Sequence, residues 1–162
     1  VLTHLLHTYD FNLRHARHLV TDLTPEQCVA QPAGLVNHVC WTIGHLATAT
    51  DVAMAELGGD MVIPEATAMK FFPGVPITGA VADYPAIDEL MGLLEAGHAR
   101  VVARVSEATP AQLEAGPVIE MVQRRFSRVG DFIHYIMSGH EGVHLGQIAD
   151  LRRAMGLENT DL

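Results

Sequence analysis

Apolar residues recur every third or fourth position along most of the chain, the period of a helix with one buried face. In the first segment Leu2, Leu5, Leu6, Tyr9, Leu13, Ala16, Val20 and Leu23 form one stripe, and the helix is expected to end near Thr21. Thr24-Pro25-Glu26 reads as an N-cap with proline at the first helical position. A second long helix is expected from about Asn37 to Leu57, closed by Gly58-Gly59. Periodicity then disappears over 58–84, where Pro64, Pro73, Gly74, Pro76 and Gly79 accumulate. So long a connection in a compact domain usually crosses the molecule or covers a site. Asp83 and Pro85 restart a helix with the stripe Ile87, Leu90, Leu94, Val101 and Val105, Thr109-Pro110 caps a short turn, and a fourth long helix is expected from Ser127 to Met155. Four long helices and almost no strand alternation predict an all-α fold, a four-helix bundle forming a single domain over 1–162. The connection over 58–84 is its crossover and lets helices two and three run parallel.

Two features point to internal duplication. Thr24-Pro25-Glu26-Gln27 follows the first long helix as Thr109-Pro110-Ala111-Gln112 follows the third, and each precedes a long histidine-bearing helix. Within those helices His45-Leu46 precedes Asp51 as His144-Leu145 precedes Asp150, at the same offset. Coincidence between two ordinary capping turns explains the pattern equally well.

Composition narrows the function classes. Hydrophobic residues are 49% and charged residues 18% of the chain, ordinary globular usage. The formal charge of -9 argues against a nucleic-acid partner, because only Arg124, Arg125 and Arg128 cluster away from a terminus. Apolar runs are interrupted well short of the roughly 18–20 residues of a membrane span. No basic-then-apolar leader opens the sequence, and Cys28 and Cys40 form no Cys-x-x-Cys pair, so a reducing cytoplasm is the expected setting. The anomaly is ten histidines against a single lysine.

Helical phase sorts those histidines. His4, His7, His15 and His18 share a stripe with Phe11 opposite the leucine face, toward solvent or a subunit contact. His140 and His144, four apart, stack on one face at the centre of a stripe with Ile133, Met137, Ile148 and Leu151. Two imidazoles among apolar residues need partners, since an unpaired buried polar group costs about 1–3 kcal/mol. Neighbouring hydrogen bonds are one explanation, and a shared metal ion is the sharper one. A third ligand then has to come from another helix, and His45 in Gly44-His45-Leu46, near Trp41, is the candidate. Gly44 leaves room for a close approach. His38, two turns earlier, can line a cavity; His98 reads either as a satisfied core residue or as part of that cavity; His134 points to solvent. The run His140-Glu141-Gly142-Val143-His144 also fits the zincin pattern, but Gln147 and Asp150 stand where the extended form needs Gly and His. Glu141 lies about 80° off the histidine stripe, toward the rim or solvent.

The segments Asn37-His38-Val39-Cys40-Trp41-Thr42-Ile43-Gly44-His45-Leu46 and His140-Glu141-Gly142-Val143-His144-Leu145-Gly146-Gln147-Ile148, followed by Leu151-Arg152-Arg153-Ala154-Met155-Gly156-Leu157, resemble the DinB/YfiT-like superfamily of small helical metalloproteins. The resemblance covers essentially the whole chain. It implies an up-down-down-up order and one divalent ion, zinc or nickel with iron as a further option, on His45, His140 and His144. It also implies a homodimer, and relatives that include thiol-dependent transferases and isomerases using mycothiol, bacillithiol or glutathione. Gly146 stands where the related sulfoxide synthases continue His-x-Glu, which disfavours that iron chemistry. His38, Trp41, His98 and Gln147 are candidate cavity residues, and Gln147, Asp51 and Asp150 are candidates to accept the imidazole N–H groups. Phe71, Phe72 and the Pro/Gly-rich crossover can roof the cavity. Two function classes remain open. One is a metal-dependent enzyme, of thiol-transferase or hydrolase type, acting on a small molecule. The other is a non-catalytic, stress-linked metal-binding module.

Overall fold

The structure, a computed structural model, describes residues 2–158, and all the regular secondary structure among them is helical, with no strand. The domain expected over 1–162 thus extends at both ends outside the described residues. Each long periodic stretch has its helix: α1 (Leu2–Val20), α3 (Val39–Glu56), α5 (Ile87–Glu107), and a final stretch made of α8 (Val129–Tyr135), a π-helical turn (Ile136–His140) and α9 (Glu141–Ala154). Short helices fill the connections: α2 (Pro25–Cys28), α4 (Glu65–Ala68), α6 (Pro110–Glu114) and α7 (Glu120–Gln123). Both Thr-Pro-x-Gln sequences form complete capping boxes, Thr24 with Gln27 and Thr109 with Gln112.

Helix α3 is the axis of the molecule. Apolar or small around most of its circumference, it is buried everywhere except at His45 and Ala55. Its first half packs in one core cluster with Leu19, Leu90, Leu94, Leu145 and Ile148. Its second half packs in another with Tyr9, Val101, Phe132, Ile133 and Met137. The α3 members of the first cluster end at Ala47 and those of the second begin at Ala49, so His45 lies close to their junction. Close approach of α3 to α5 depends on Gly97, where a Cβ would fall 1.9 Å from Thr50 Oγ1. At Gly44 the group that comes close is the Phe71 ring, 2.3 Å from where a Cβ would stand.

Acidic residues of α3 hold the connections. Asp51 accepts the backbone N–H groups of Val62 and Ile63 at 2.8 and 2.7 Å and an ion pair from Arg100, while Glu56 accepts those of Val118 and Ile119. Asp51 is therefore an anchor for the crossover and not a partner of a histidine. Asp150, at the matching offset in α9, is exposed and pairs with Arg153. At the end of α9 the fully buried Arg152 donates to both oxygens of Asp22 and to the Leu19 carbonyl, tying the last helix to the end of α1.

Cys28 and Cys40, far apart in a sequence pattern, come together as free buried thiols beside one cavity between α2 and the start of α3. Hydrogen bonding to Cys40 and burial push the Cys28 thiol up, and the same bond holds Cys40 down. No helix among the described residues is long and apolar enough to cross a membrane.

Candidate metal centre

The last long helix carries the site, and its π turn sets which residues face inward. Val129, Ile133, Met137, Glu141 and Leu145 are all buried at spacings of four. In an unbroken α-helix each such step drifts about 40°, so four steps would rotate the stripe through roughly 160°. The π turn inserts a residue and takes back about 100° of that drift. Glu141 is thereby carried into the core and His140 and His144 to its edge, half-buried beside α3. The sequence reading, which counted an unbroken helix, expects the reverse: histidines at the stripe's centre and Glu141 toward the rim.

His45, His140 and His144 each offer a ring nitrogen, and the three atoms lie within 4.8 Å of one another. Their outward nitrogens fix which atoms those are. His45 Nδ1 is 2.9 Å from the Phe71 carbonyl, which only accepts, so this nitrogen carries the hydrogen and Nε2 keeps its lone pair. His144 Nδ1 is likewise 2.9 Å from Gln147 Oε1. His45 Nε2 and His140 Nε2 face each other at 3.1 Å, and His140 Nδ1 is buried with no partner among the described residues. Two imidazoles thus have their N–H turned outward to an oxygen acceptor and their lone pair turned inward, the arrangement that orients histidine ligands on an ion. Neutral nitrogen donors from three rings suit a borderline-soft divalent cation. Trp41 lies flat on the His45 ring at 4.9 Å between centroids and a 6° interplanar angle, fixing its plane.

Burial and neighbouring imidazoles keep the rings neutral. Burial first and His144 second hold His45 at about 4, and burial with His144 and His45 holds His140 at about 3. Burial also lowers His144. The donors are therefore deprotonated without help at neutral pH.

The remaining candidate residues separate by role. An apolar cavity of about 120 Å3 opens onto His45 and His140, walled by Phe71, Phe72 and Pro73 from the crossover and by Phe132, Tyr135 and Ile136 from the last long helix. His38, Trp41, His98 and Gln147 are not part of its lining. His38 is the N-cap of α3: its Nδ1 accepts the Trp41 N–H and its Nε2 donates to the Thr78 carbonyl, both at 3.1 Å. Gln147 acts through His144. His98 is buried against Glu141, Nε2 to Oε1 at 2.5 Å, with Tyr9 stacked on it at 3.6 Å. Burial raises Glu141 against the opposing pull of His98, and burial raises Tyr9 well above its ordinary value. A Glu141 carboxylate so paired is not placed as the base of a zincin. Of the outer histidines, His4, His7 and His134 are exposed, while His15 and His18 are half-buried.

Sequence reasoning missed the Tyr9–His98–Glu141 cluster and the Phe71 carbonyl. The run of four-residue spacings through Glu141 carried the signal for the first. Phe71 is marked in the sequence only as a roof for the cavity, where its ring does lie, and nothing in its aperiodic segment marks its carbonyl.

No curated protein and no solved structure matches the chain. The sequence pattern of the DinB superfamily matches residues 8–148, from the first turns of α1 to past the last histidine of the cluster, and the chain belongs to that superfamily.

Proposed function

We propose that the protein is a metal-dependent enzyme acting on a small molecule, of the thiol-dependent transferase or hydrolase type, with one zinc or nickel ion, or iron, on His45, His140 and His144. The observation that carries this reading is the cavity against His45 and His140. A three-histidine site leaves coordination positions open, and a cavity gives a substrate access to them. A closed, non-catalytic, stress-linked metal-binding module has no use for such an opening. A divalent ion held there supplies Lewis acidity for deprotonating a water or a thiol at neutral pH. The chain does the rest. The Phe71 carbonyl and Gln147 aim two rings, Trp41 fixes the plane of one, and the phenylalanine wall keeps bulk water from the reacting end of the substrate.

The fold we infer is the up-down-down-up four-helix bundle. Contacts Asp51–Arg100 and Leu57–Arg104 rise together along α3 and α5, supporting parallel helices. Tyr9–His98 and Arg17–Glu95 run oppositely along α1 and α5. A cytoplasmic setting fits the two free thiols. A homodimer is the proposed assembly, supported by Phe11, 43% exposed on the face of α1 opposite its leucine stripe. Light scattering at micromolar concentration should return twice the 17.6 kDa chain mass, and the single-chain mass would refute the dimer.

The reaction is tested with untagged protein loaded with zinc, nickel or iron and incubated with glutathione, bacillithiol or mycothiol and a panel of small electrophiles. Mass spectrometry should find adducts or hydrolysis products that chelator-treated protein and His140→Ala do not form. No turnover with any of the three metals would overturn the enzymatic reading.

A further inference from the structure

The basic cluster away from the chain ends, Arg124, Arg125 and Arg128, does not behave as a unit. Arg124 pairs with Glu120, and Arg128 pairs with Asp131 and Glu114. Arg125 makes no side-chain hydrogen bond or ion pair among the described residues, whereas each of the other eight arginines makes at least one. It is exposed, and it lines the cavity that opens onto His45 and His140. Around it the lining is almost wholly apolar, with Met121, Val122 and Phe126 from the same stretch of chain. A solvated guanidinium needs no partner, but one placed at the edge of an apolar cavity, in a chain of net charge -9, offers a local anion site where the long-range field repels anions.

We propose that Arg125 reads a carboxylate on the ligand of this cavity, so that the site takes a small amphipathic acid. The apolar body lies against Phe71, Phe126 and Phe132, and the opposite end is presented to His45 and His140. The guanidinium matches a carboxylate with two parallel N–H donors, which a lysine at the same place cannot do. Size follows from volume: about 120 Å3 is on the scale of the 150 Å3 cavity known to hold a benzene ring, so the body is one ring or a short chain. This assignment deepens the enzymatic reading by naming a substrate class, but it does not require a metal, and its test is made without one.

The probes are phenylacetate and its neutral amide, phenylacetamide, titrated by NMR into the metal-free, chelator-treated protein at about 0.15 M salt, where exposed charges beyond about 8 Å are screened. The wild type should bind phenylacetate about fivefold more tightly than the amide, the scale of one partly exposed ion pair. Arg125→Ala should lose that preference while binding the amide within about twofold of wild type, and Arg125→Lys should retain only part of it. Arg124→Ala, which removes a charge already paired with Glu120, should leave the preference intact. An equal preference in Arg125→Ala, or no binding of phenylacetate to the wild type, would overturn the assignment. Either result leaves the metal-dependent reading standing, since no metal is present in the titration.

Discussion

Replacing His144 with alanine should remove stoichiometric zinc from untagged protein. Its affinity should fall further than the roughly 10–100-fold cost of deleting an outer-shell partner. Gln147→Ala, which removes the acceptor 2.9 Å from His144 Nδ1, should show that smaller loss. His15→Ala should bind zinc as wild type does, because His15 lies on α1 outside the cluster. The pH dependence separates the structure from the bare sequence. Ordinary imidazoles would begin to take protons from the metal below about pH 6.5. With His45 held at about 4 and His140 at about 3, and His144 also lowered, protons compete only at lower pH. Zinc affinity measured by competition with a chromophoric chelator should therefore stay nearly flat from pH 7 to 6 and fall steeply below about 5. A decline centred near pH 6.5, or zinc retained by His144→Ala and lost by His15→Ala, would contradict the assignment.

The second large effect is expected at Glu141, behind the cluster. Glu141→Ala removes a carboxylate buried to 4% exposure and leaves His98, 3% exposed, without its partner. Orphaning a buried hydrogen-bonded group typically costs about 1–3 kcal/mol, more where one partner is charged, and a domain of this size loses roughly 2–4 °C of Tm per kcal/mol. A drop on the order of 10 °C is therefore expected, against little change for Glu158→Ala, which loses only a side chain because its contact with Arg152 runs through the backbone carbonyl. The double variant with His98→Ala should be less destabilised than the sum of the two singles, by more than about 1 kcal/mol. Additive losses would mean that the pair contributes nothing beyond two filled volumes.

The long helices were legible because their apolar stripes are long and regular, and the Thr-Pro-x-Gln turns because a capping box is a local device. His45, His140 and His144 were picked out from spacing, from burial of imidazole where nothing else explained it, and from resemblance, and the structure brings them together. What failed depended on events that a regular helix does not contain. The π turn Ile136–His140 rotated the histidines to the edge of the core and Glu141 into it. His38 looked like a cavity residue because it lies two turns from His45, whereas its ring serves as the N-cap of α3. Asp51 reads as an imidazole partner from its proximity in sequence to His45, yet two backbone N–H groups of the crossover claim it. These are tertiary facts about which group arrives first at a given donor. Spacing along one helix does not encode them.

The central claim is that three imidazoles, and not the two thiols, hold one ion. X-ray absorption on untagged protein loaded with one equivalent of zinc reads this directly, because nitrogen and sulfur ligands differ in distance. The structure predicts a shell dominated by imidazole nitrogen at about 2.0–2.1 Å, with the outer scattering characteristic of three rings, unchanged when Cys28 and Cys40 are replaced with alanine. A shell containing sulfur at about 2.3 Å, or a zinc content that disappears with the cysteines, would contradict it.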